Sequence, residues 1–588
     1  MTSIRTLIDK EKSGHVSTPA FLDPKNEQSD MEQGSTRAPS TAPDVDYDGT
    51  KEGIRSSTDE EKTNPKPEEP SLDSANPGEY PSGVGLFFIV TALVLSVFLV
   101  SLDQTIVATA IPKITDDFHG LDDVSWYSSA FFMTVGGFQS AWGKAYKYFP
   151  LKTSFLLAIF TFELGSLICG VAPNSTALIV GRAIAGVGAS GIGSGAYTII
   201  AFCASPTKRP MFTGIIGASY GIASVVGPLI GGVLSDKVTW RWCFYINLPI
   251  GGVSGVIIFL FFTTPSAAKP VSAPLLEKLR QMDFVGILLI MGAIISYILA
   301  LQYGGQTHPW NSSVVIGLLV GFVAIVFVFA GWEWYQKDRA MMPGRLITDR
   351  LIIVESLFIF FLAGGYFLII YYLPIYFQSI DNVSPTMSGV RNLPLILGVT
   401  IATIASGGFI SKTGIATPVK VIGTALATIA LGLIYTLDIG TPTGKWIGYQ
   451  LLGGIGWGLA LQIPIITAQA TSPPEDLAEV TAIVLFFQLI GGSFLVSGAQ
   501  SAFVNIIVKT IPYSAPGVDP AMLLATGATE LRNVFTPEQV PGILVAYMRG
   551  LKIVFAISLA SVGLSLVVSV FSRWKRLNTA AITGGAAA

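Results

Sequence analysis

Residues 81–113 read PSGVGLFFIVTALVLSVFLVSLDQTIVATAIPK. From Pro81 to Leu102 there is no charge; then comes Asp103, and nine uncharged residues follow before Lys113. An apolar run of about 20 residues is what a helix needs to cross the hydrocarbon core of a bilayer, whereas a barrel strand needs only about 9–11. In hydrocarbon an open chain must satisfy its own backbone groups, and only a helix does so within one segment. This stretch therefore predicts a transmembrane helix over 84–110, with one carboxyl inside it.

Thirteen more stretches of the same kind follow, at 124–142, 153–172, 176–203, 211–234, 242–262, 284–303, 313–332, 351–377, 387–411, 417–437, 445–470, 479–507 and 551–572. Turn residues or charges break them: Pro112 to Asp123, Pro173-Asn174, Pro206 to Pro210, Pro265 to Asp283, His308-Pro309, Asp338 to Arg350 and Pro473-Pro474. The expected fold is an all-α polytopic membrane protein with 14 transmembrane helices. Segment 508–550 is its longest outer connection, amphipathic around 519–535.

The composition agrees. Of 588 residues 13% are charged, 51% are hydrophobic and 62 are glycine. Mean hydropathy is +0.59, and a soluble chain this long would carry roughly a quarter charged residues. Residues 1–80 hold 26 of the 74 Asp, Glu, Lys and Arg, in a Ser/Thr/Pro-rich stretch without periodicity. That segment has too little apolar surface to offset its ordering entropy, so it is expected to be a disordered tail, and it has no signal-peptide core. These numbers exclude a soluble enzyme, a nucleic-acid binder and a secreted disulfide scaffold. Cys169, Cys203 and Cys243 show no metal-ligand spacing and read as small buried hydrophobes. No phosphate-binding loop, metal cluster or nucleophile constellation is present, so neither a cofactor nor direct use of ATP is expected.

Orientation follows from the basic residues, which favour cytoplasmic loops. With both termini cytoplasmic, inner loops receive Lys144, Lys147 and Lys152; Lys208 and Arg209; Lys269, Lys278 and Arg280; Lys337, Arg339, Arg345 and Arg350; and Lys412 and Lys420. The short outer loops keep only Lys113, Lys237, Arg241 and Lys445. The inner loop 471–478 alone has no Lys or Arg. Three N-x-Ser/Thr sequons, at Asn174, Asn311 and Asn382, all fall in outer loops, so glycosylation is expected there.

Three segments are more specific than hydropathy: LDQTIVATAIP at 102–112, GRAIAGVGASGIG at 181–193, and GASYGIASVVGPLIGGVL at 217–234 followed by WRWCFYINLPIGG at 240–252. In this order they resemble the major facilitator superfamily, in its fourteen-helix drug:proton antiporter branch. GYFLIIYYLPIYFQ at 365–378 and GWGLALQIPIITAQA at 456–470 fit as well. The resemblance implies a six-helix half at 81–262, a linking region with helices 7 and 8 at 263–350, a second half at 351–572 and a cytoplasmic tail at 573–588. It also implies proton-driven export of small organic molecules by alternating access, from a monomer in the plasma or vacuolar membrane. One loop departs from the pattern. Residues 143–152, GKAYKYFPLK, put Lys147 where the superfamily places Asp and Pro150 where it places Gly. The charge pairing that this loop usually makes at the cytoplasmic gate is thereby put in question, and the degenerate form resembles fungal exporters of toxins and secondary metabolites.

Asp103 is the outstanding residue, because an ionised Asp near the bilayer centre costs roughly 2.5–3.5 kcal/mol and needs a partner or water. Arg182 needs a carboxylate or carbonyls at its depth, unless it snorkels to an interface; the family resemblance links it to proton transfer. Glu163, in TFELGS, can pair with Arg182, contact a cationic substrate or share the coupling proton. In the fifth span Gly217, Gly221, Gly227, Pro228, Gly231 and Gly232 form the antiporter motif, expected to pack backbone-to-backbone against the opposite half, with Pro228 promoting a kink. Gln139, Tyr220, Tyr366, Trp457, Gln462, Phe487 and Gln488 are candidates for an amide and aromatic substrate cavity. Two other readings remain open: an uptake or vacuolar exchanger for amino acids or siderophores, and a non-transporting sensor.

Overall fold

The computed structural model describes residues 80–118 and 124–577. The tail read at 1–80, but for its last residue, and the end of the chain beyond 577 lie outside the described residues. Among the described residues, fourteen long helices stand where fourteen spans were read. They are α1 Gly83–Phe118, α2 Val124–Tyr148, α3 Leu151–Gly170, α4 Ser175–Cys203, α5 Arg209–Lys237, α6 Asn247–Phe261 and α7 Phe284–Tyr303. The others are α8 Ser313–Gln336, α9 Arg350–Ser379, α10 Leu393–Thr413, α11 Thr417–Tyr435, α12 Thr443–Ala460 with its continuation Ile463–Thr471, α13 Leu477–Ser514 and α14 Val540–Val570.

Thirteen of these are long and apolar enough to cross a membrane; α2 alone falls short in hydropathy. Its polar residues are turned inward instead. Gln139, Ser140 and Lys144 are all buried, Gln139 Nε2 donates to Ser194 Oγ at 2.6 Å, and Lys144 Nζ donates to the carbonyl of Asp338 at 2.9 Å.

The ends of several helices differ from the sequence reading. Pro112 does not end α1, which runs on to Phe118. Helix α14 begins at Val540, inside the segment read as an outer loop. Arg549 and Lys552 dilute the hydropathy there, but Lys552 pairs with Asp438 at 2.6 Å. The span read at 242–262 is broken after the turn Trp242–Tyr245, and Pro249 sits in the first turn of α6, where a missing N–H leaves no bond unmade. Helix α12 breaks at Leu461-Gln462, ahead of Pro464, because proline has no N–H to donate to the carbonyl four residues back and its ring crowds that carbonyl.

Helices α1–α6 pack chiefly among themselves, with α4 against α2 and α3, and α1 against α5 and α6. Helices α9–α14 form a second group, with α12 against α10 and α11, and α9 against α13 and α14. Two seams join the groups, α5 to α10 and α2 to α13. Helix α7 reaches both α2 and α13, whereas α8 packs mainly on α7 and leaves most of its surface outward.

Candidate functional site: a buried ion pair beside a central cavity

The glycines of α4 explain how a guanidinium comes to lie inside the bundle. A Cβ at Gly188 would strike the backbone of Phe162 on α3, and one at Gly186 would strike Phe131 on α2. Small faces let helix backbones approach closely, so α4 sinks between its neighbours and carries Arg182 inward, where it is 1% exposed. Arg182 Nη1 donates to Asp103 Oδ2, and Nε donates to the carbonyl of Tyr127 at 2.9 Å. The guanidinium lies over Phe131, 4.3 Å from the ring centroid. Interface snorkelling is therefore excluded.

Asp103 is fully buried. Its Oδ1 accepts from Asn247 Nδ2 at 3.2 Å, and the same amide nitrogen lies 3.1 Å from Ser166 Oγ. Asn247 belongs to the WRWCFYINLPIGG run, and its place at the start of α6 carries it to the carboxylate. Successive helical residues point about 100° apart, so the next residue, Gln104, faces elsewhere, onto a cavity.

That cavity, of about 250 Å³, is lined from α1, α2, α7, α9 and α13. Gln104, Ser128, Ser129, Ser493 and Ser497 supply its polar wall, and Phe132, Phe367 and Tyr371 its aromatic one. The seven cavity candidates from the sequence are not among its lining residues. Tyr220 comes nearest, its hydroxyl donating to Gln104 Oε1 at 2.8 Å. Gln139 is bonded to α4. Tyr366 and Trp457 are buried against each other, with ring centroids 5.6 Å apart. Gln462 packs on Gly217. Phe487 stacks edge-on with Phe486. Gln462 Oε1, Gln488 Oε1 and Trp457 Nε1 are buried without a hydrogen-bond partner.

The face at which α1 begins is closed by contacts between the two groups. Gly143 of α2 presses on Ala478 and Ala482 of α13, and Gly407 of α10 on Pro210 of α5, with no room for a Cβ at either glycine. Met211 N donates to Ser411 Oγ at 3.1 Å, and Gln469 Nε2 to the carbonyl of Tyr197 at 3.2 Å. Over these contacts sits an ion cluster. Lys147 lies 3.2 Å from Asp476 and 3.0 Å from Glu479, and Arg345 donates to both oxygens of Asp476 at 2.5 and 2.6 Å. Burial opposes ionisation of Asp476, but the Arg345 hydrogen bonds and the Lys147 charge outweigh it and hold the carboxyl below its ordinary value. The loop whose sequence departs from the usual pattern thus keeps a charge pairing, with its polarity inverted. The basic-poor loop 471–478 supplies Asp476, and the first turn of α13 supplies Glu479.

The motif of α5 divides between two partners. Gly217 packs on Gln462, and Gly221 lies near Thr400 and Ile396 of α10. Gly227 instead packs on Thr105 and Ile106 of α1, within its own group, which corrects the expectation that it faces the opposite half. A Cβ at Gly232 would meet open space, and the carbonyl of Gly231 lies 3.9 Å from Cys243 Sγ. Pro228 is accommodated within a continuous helix from Arg209 to Lys237. Glu163 does not reach Arg182; both its oxygens are buried and unpartnered. Asn174, Asn311 and Asn382 are all exposed, and Asn174 also caps α4 by accepting from Ala177 N.

Sequence reasoning missed Asn247, the acids Asp476 and Glu479, and a second buried pair. Lys420 Nζ donates to both oxygens of Glu355, at 2.7 and 2.8 Å, and to Ser572 Oγ at 2.7 Å. Its signal was the same as that of Asp103: Glu355 is a carboxyl inside an apolar span.

A helical membrane protein whose two groups of helices enclose a cavity, closed at one face, has the build of a transporter. The Major Facilitator Superfamily family model matches residues 93–496, and the chain belongs to that superfamily. It is 59% identical over 509 residues to an MFS-type transporter of a Penicillium species, covering 87% of this chain and 90% of the relative. It is 56% identical to a probable efflux pump of Penicillium aethiopicum, over 85% and 89%. To an MFS-type efflux pump of Arthroderma benhamiae it is 45% identical, over 86% and 94%. The fold is shared with a solved proton:xylose symporter (TM-score 0.54, 13% identity, covering 84% of this chain and 98% of that one). It is shared too with a bacterial homologue of the lysosomal transporter Spinster (TM-score 0.51, 16% identity, 84% and 100%).

Proposed function

We propose that this multi-pass transporter exports small organic molecules in exchange for protons, by alternating access. The observation that carries the reading is the fully buried Asp103–Arg182 pair one residue from Gln104 on the cavity wall. An ion pair in low dielectric is stable only while both members stay charged and paired. Protonation of Asp103 removes the attraction and frees Arg182, and substrate at Gln104 acts on the same helix. Protonation and cavity shape are thus linked through α1. The mixed serine and aromatic lining suits amphiphilic organic molecules, and the relatives named as efflux pumps favour the outward direction.

The other half of the cycle is supported by the buried, unpartnered polar atoms of Gln462, Gln488 and Trp457. Buried polar groups normally have partners; these would gain water or substrate once the closed face opens. In this reading the closed face is cytoplasmic, as the basic loops favour, the three sequons lie outside, and the membrane is the plasma membrane. A 100 mV potential supplies about 2.3 kcal/mol per charge and one pH unit about 1.4 kcal/mol, so one proton per cycle sustains a gradient of hundreds-fold.

The test is flux in reconstituted vesicles under an imposed proton gradient, scanning a panel of amphiphilic small organic molecules. Asp103→Asn is expected to abolish gradient-driven flux while reaching its membrane in normal amounts. Normal gradient-driven flux by that variant would refute proton coupling at this site.

A further inference from the structure

Glu163 and Asn247 each have a buried polar group without a partner, and the two groups are complementary. Both oxygens of Glu163 lack a donor, and Oδ1 of Asn247 lacks one too. The helices bring them to one place. Gly251 faces Glu163 so closely that any Cβ there would collide with its carboxyl. Asn247 lies four residues before Gly251 on α6, and Ser166 three residues after Glu163 on α3, spacings that put each pair on one helix face. Ser166 is already hydrogen-bonded to Asn247. Glu163 therefore sits about one helical turn from the amide that holds Asp103.

An ionised carboxylate without donors has nothing to offset its lost hydration, whereas the neutral acid needs only one acceptor for its O–H. The unpartnered acceptor within a turn is Asn247 Oδ1. We infer that Glu163 is a second proton-binding residue and that Asn247 positions the two carboxyls so that they share one proton. The inference rests on the reading of Asp103 as the coupling acid.

In the present arrangement the proton resides on Glu163, and its O–H points toward Asn247 Oδ1. Asn247 Nδ2 donates to Asp103, which is ionised against Arg182. When Glu163 loses the proton, an amide carbonyl faces a carboxylate, and the amide is driven to turn its nitrogen toward Glu163. That rotation withdraws the donor from Asp103 Oδ1, where the proton is then bound. One O–H bond breaks on Glu163, one forms on Asp103, and a single negative charge moves the other way. The ionisable groups facing the unit are Asp103 from α1, Arg182 from α4, and Cys169 and Cys243 at its margin; α6 itself contributes none.

The experiment is infrared difference spectroscopy of the full-length protein in lipid, as pH is stepped across neutrality without substrate. The expected wild-type result is a carboxylic-acid C=O band that disappears in Glu163→Gln. In Asn247→Leu the band should move to higher frequency, since its hydrogen-bond acceptor is gone. In Asp103→Asn its titration midpoint should shift by about one pH unit or more, as for two interacting sites. Glu163→Gln is isosteric, and thermal unfolding checks each variant for folding. A band unchanged in Glu163→Gln, or one indifferent to both Asn247→Leu and Asp103→Asn, overturns the inference. Because no flux is measured, its failure is separate from that of proton coupling: Asp103→Asn can abolish flux while Glu163 is silent, and the reverse can also hold.

Discussion

Asp103 and Arg182 are not equivalent members of their pair. If Asp103 becomes Asn, the guanidinium keeps the Tyr127 carbonyl and the Phe131 ring. If Arg182 becomes Leu, Asp103 is left with a single donor, Asn247, in a fully buried place. Breaking a buried pair so that one charge stays behind costs about 3–5 kcal/mol. Arg182→Leu is therefore expected to lower thermal stability in detergent much more than Asp103→Asn. The double variant Asp103→Asn/Arg182→Leu should recover most of that loss without recovering flux. If the double variant is as unstable as Arg182→Leu alone, the stranded carboxylate is not the cause.

Between elements, the glycines of α5 and α10 serve different seams, and larger side chains should separate their roles. Gly227 meets α1 within its own group, whereas Gly407 meets Pro210 across the groups. Overpacking costs about 1–3 kcal/mol, roughly a five- to 150-fold shift in a two-state equilibrium. Gly227→Leu is expected to reduce the yield of folded protein. Gly407→Leu is expected to leave yield near normal but hold the closed face open. Spin labels at Lys208 and Lys412, both exposed beside this seam, read the separation; an unchanged distance in Gly407→Leu would count against the assignment.

The inverted ion cluster belongs to the same scale. Lys147→Glu places three acids together and should widen the 208–412 distance, and adding Arg345→Glu, Asp476→Lys and Glu479→Lys should restore it. Failure of the full charge reversal to restore closure would show that the cluster is not a latch. Its pH dependence has a definite sign. The Asp476 carboxyl is held below its ordinary value of 3.8, so the stabilisation it provides is fully present above that value and is lost only as pH falls through the depressed one. The closed face should therefore be indifferent to pH near neutrality, which leaves the proton response to the buried carboxyls.

For the molecule as a whole, closure at one face predicts which positions a reagent can reach. The three native cysteines are buried and unbridged, so an impermeant maleimide should leave wild-type protein unlabelled. Ser497→Cys, on the cavity wall, should be labelled from the side opposite the start of α1. Gln462→Cys, half-buried and packed on Gly217 on the closed side, should be labelled only when Lys147→Glu opens that face. Labelling of Gln462→Cys in an otherwise wild-type background would contradict the closed arrangement.

The sequence by itself determined the helices and their number, because a bilayer leaves an uncharged run of this length no other way to satisfy its backbone. It singled out Asp103, Arg182 and Glu163 for the same reason, a charge being costly wherever hydrocarbon surrounds it. Which charges meet was left to the tertiary structure. Asp103 and Arg182 are 79 residues apart, and Lys147 and Glu479 332 apart, separations that no local pattern links. The sequence of 143–152 put the charge pairing in question, and the fold supplies it by bringing Asp476 and Glu479 to Lys147. The cavity was misread on the same ground. Gln462 and Trp457 have the chemistry of a lining, but the rotation of each helix and the face at which the bundle is closed decide which side chains meet open space. Asn247 lay in a stretch already noticed, and only packing against α1 and α3 made it the residue between two carboxyls.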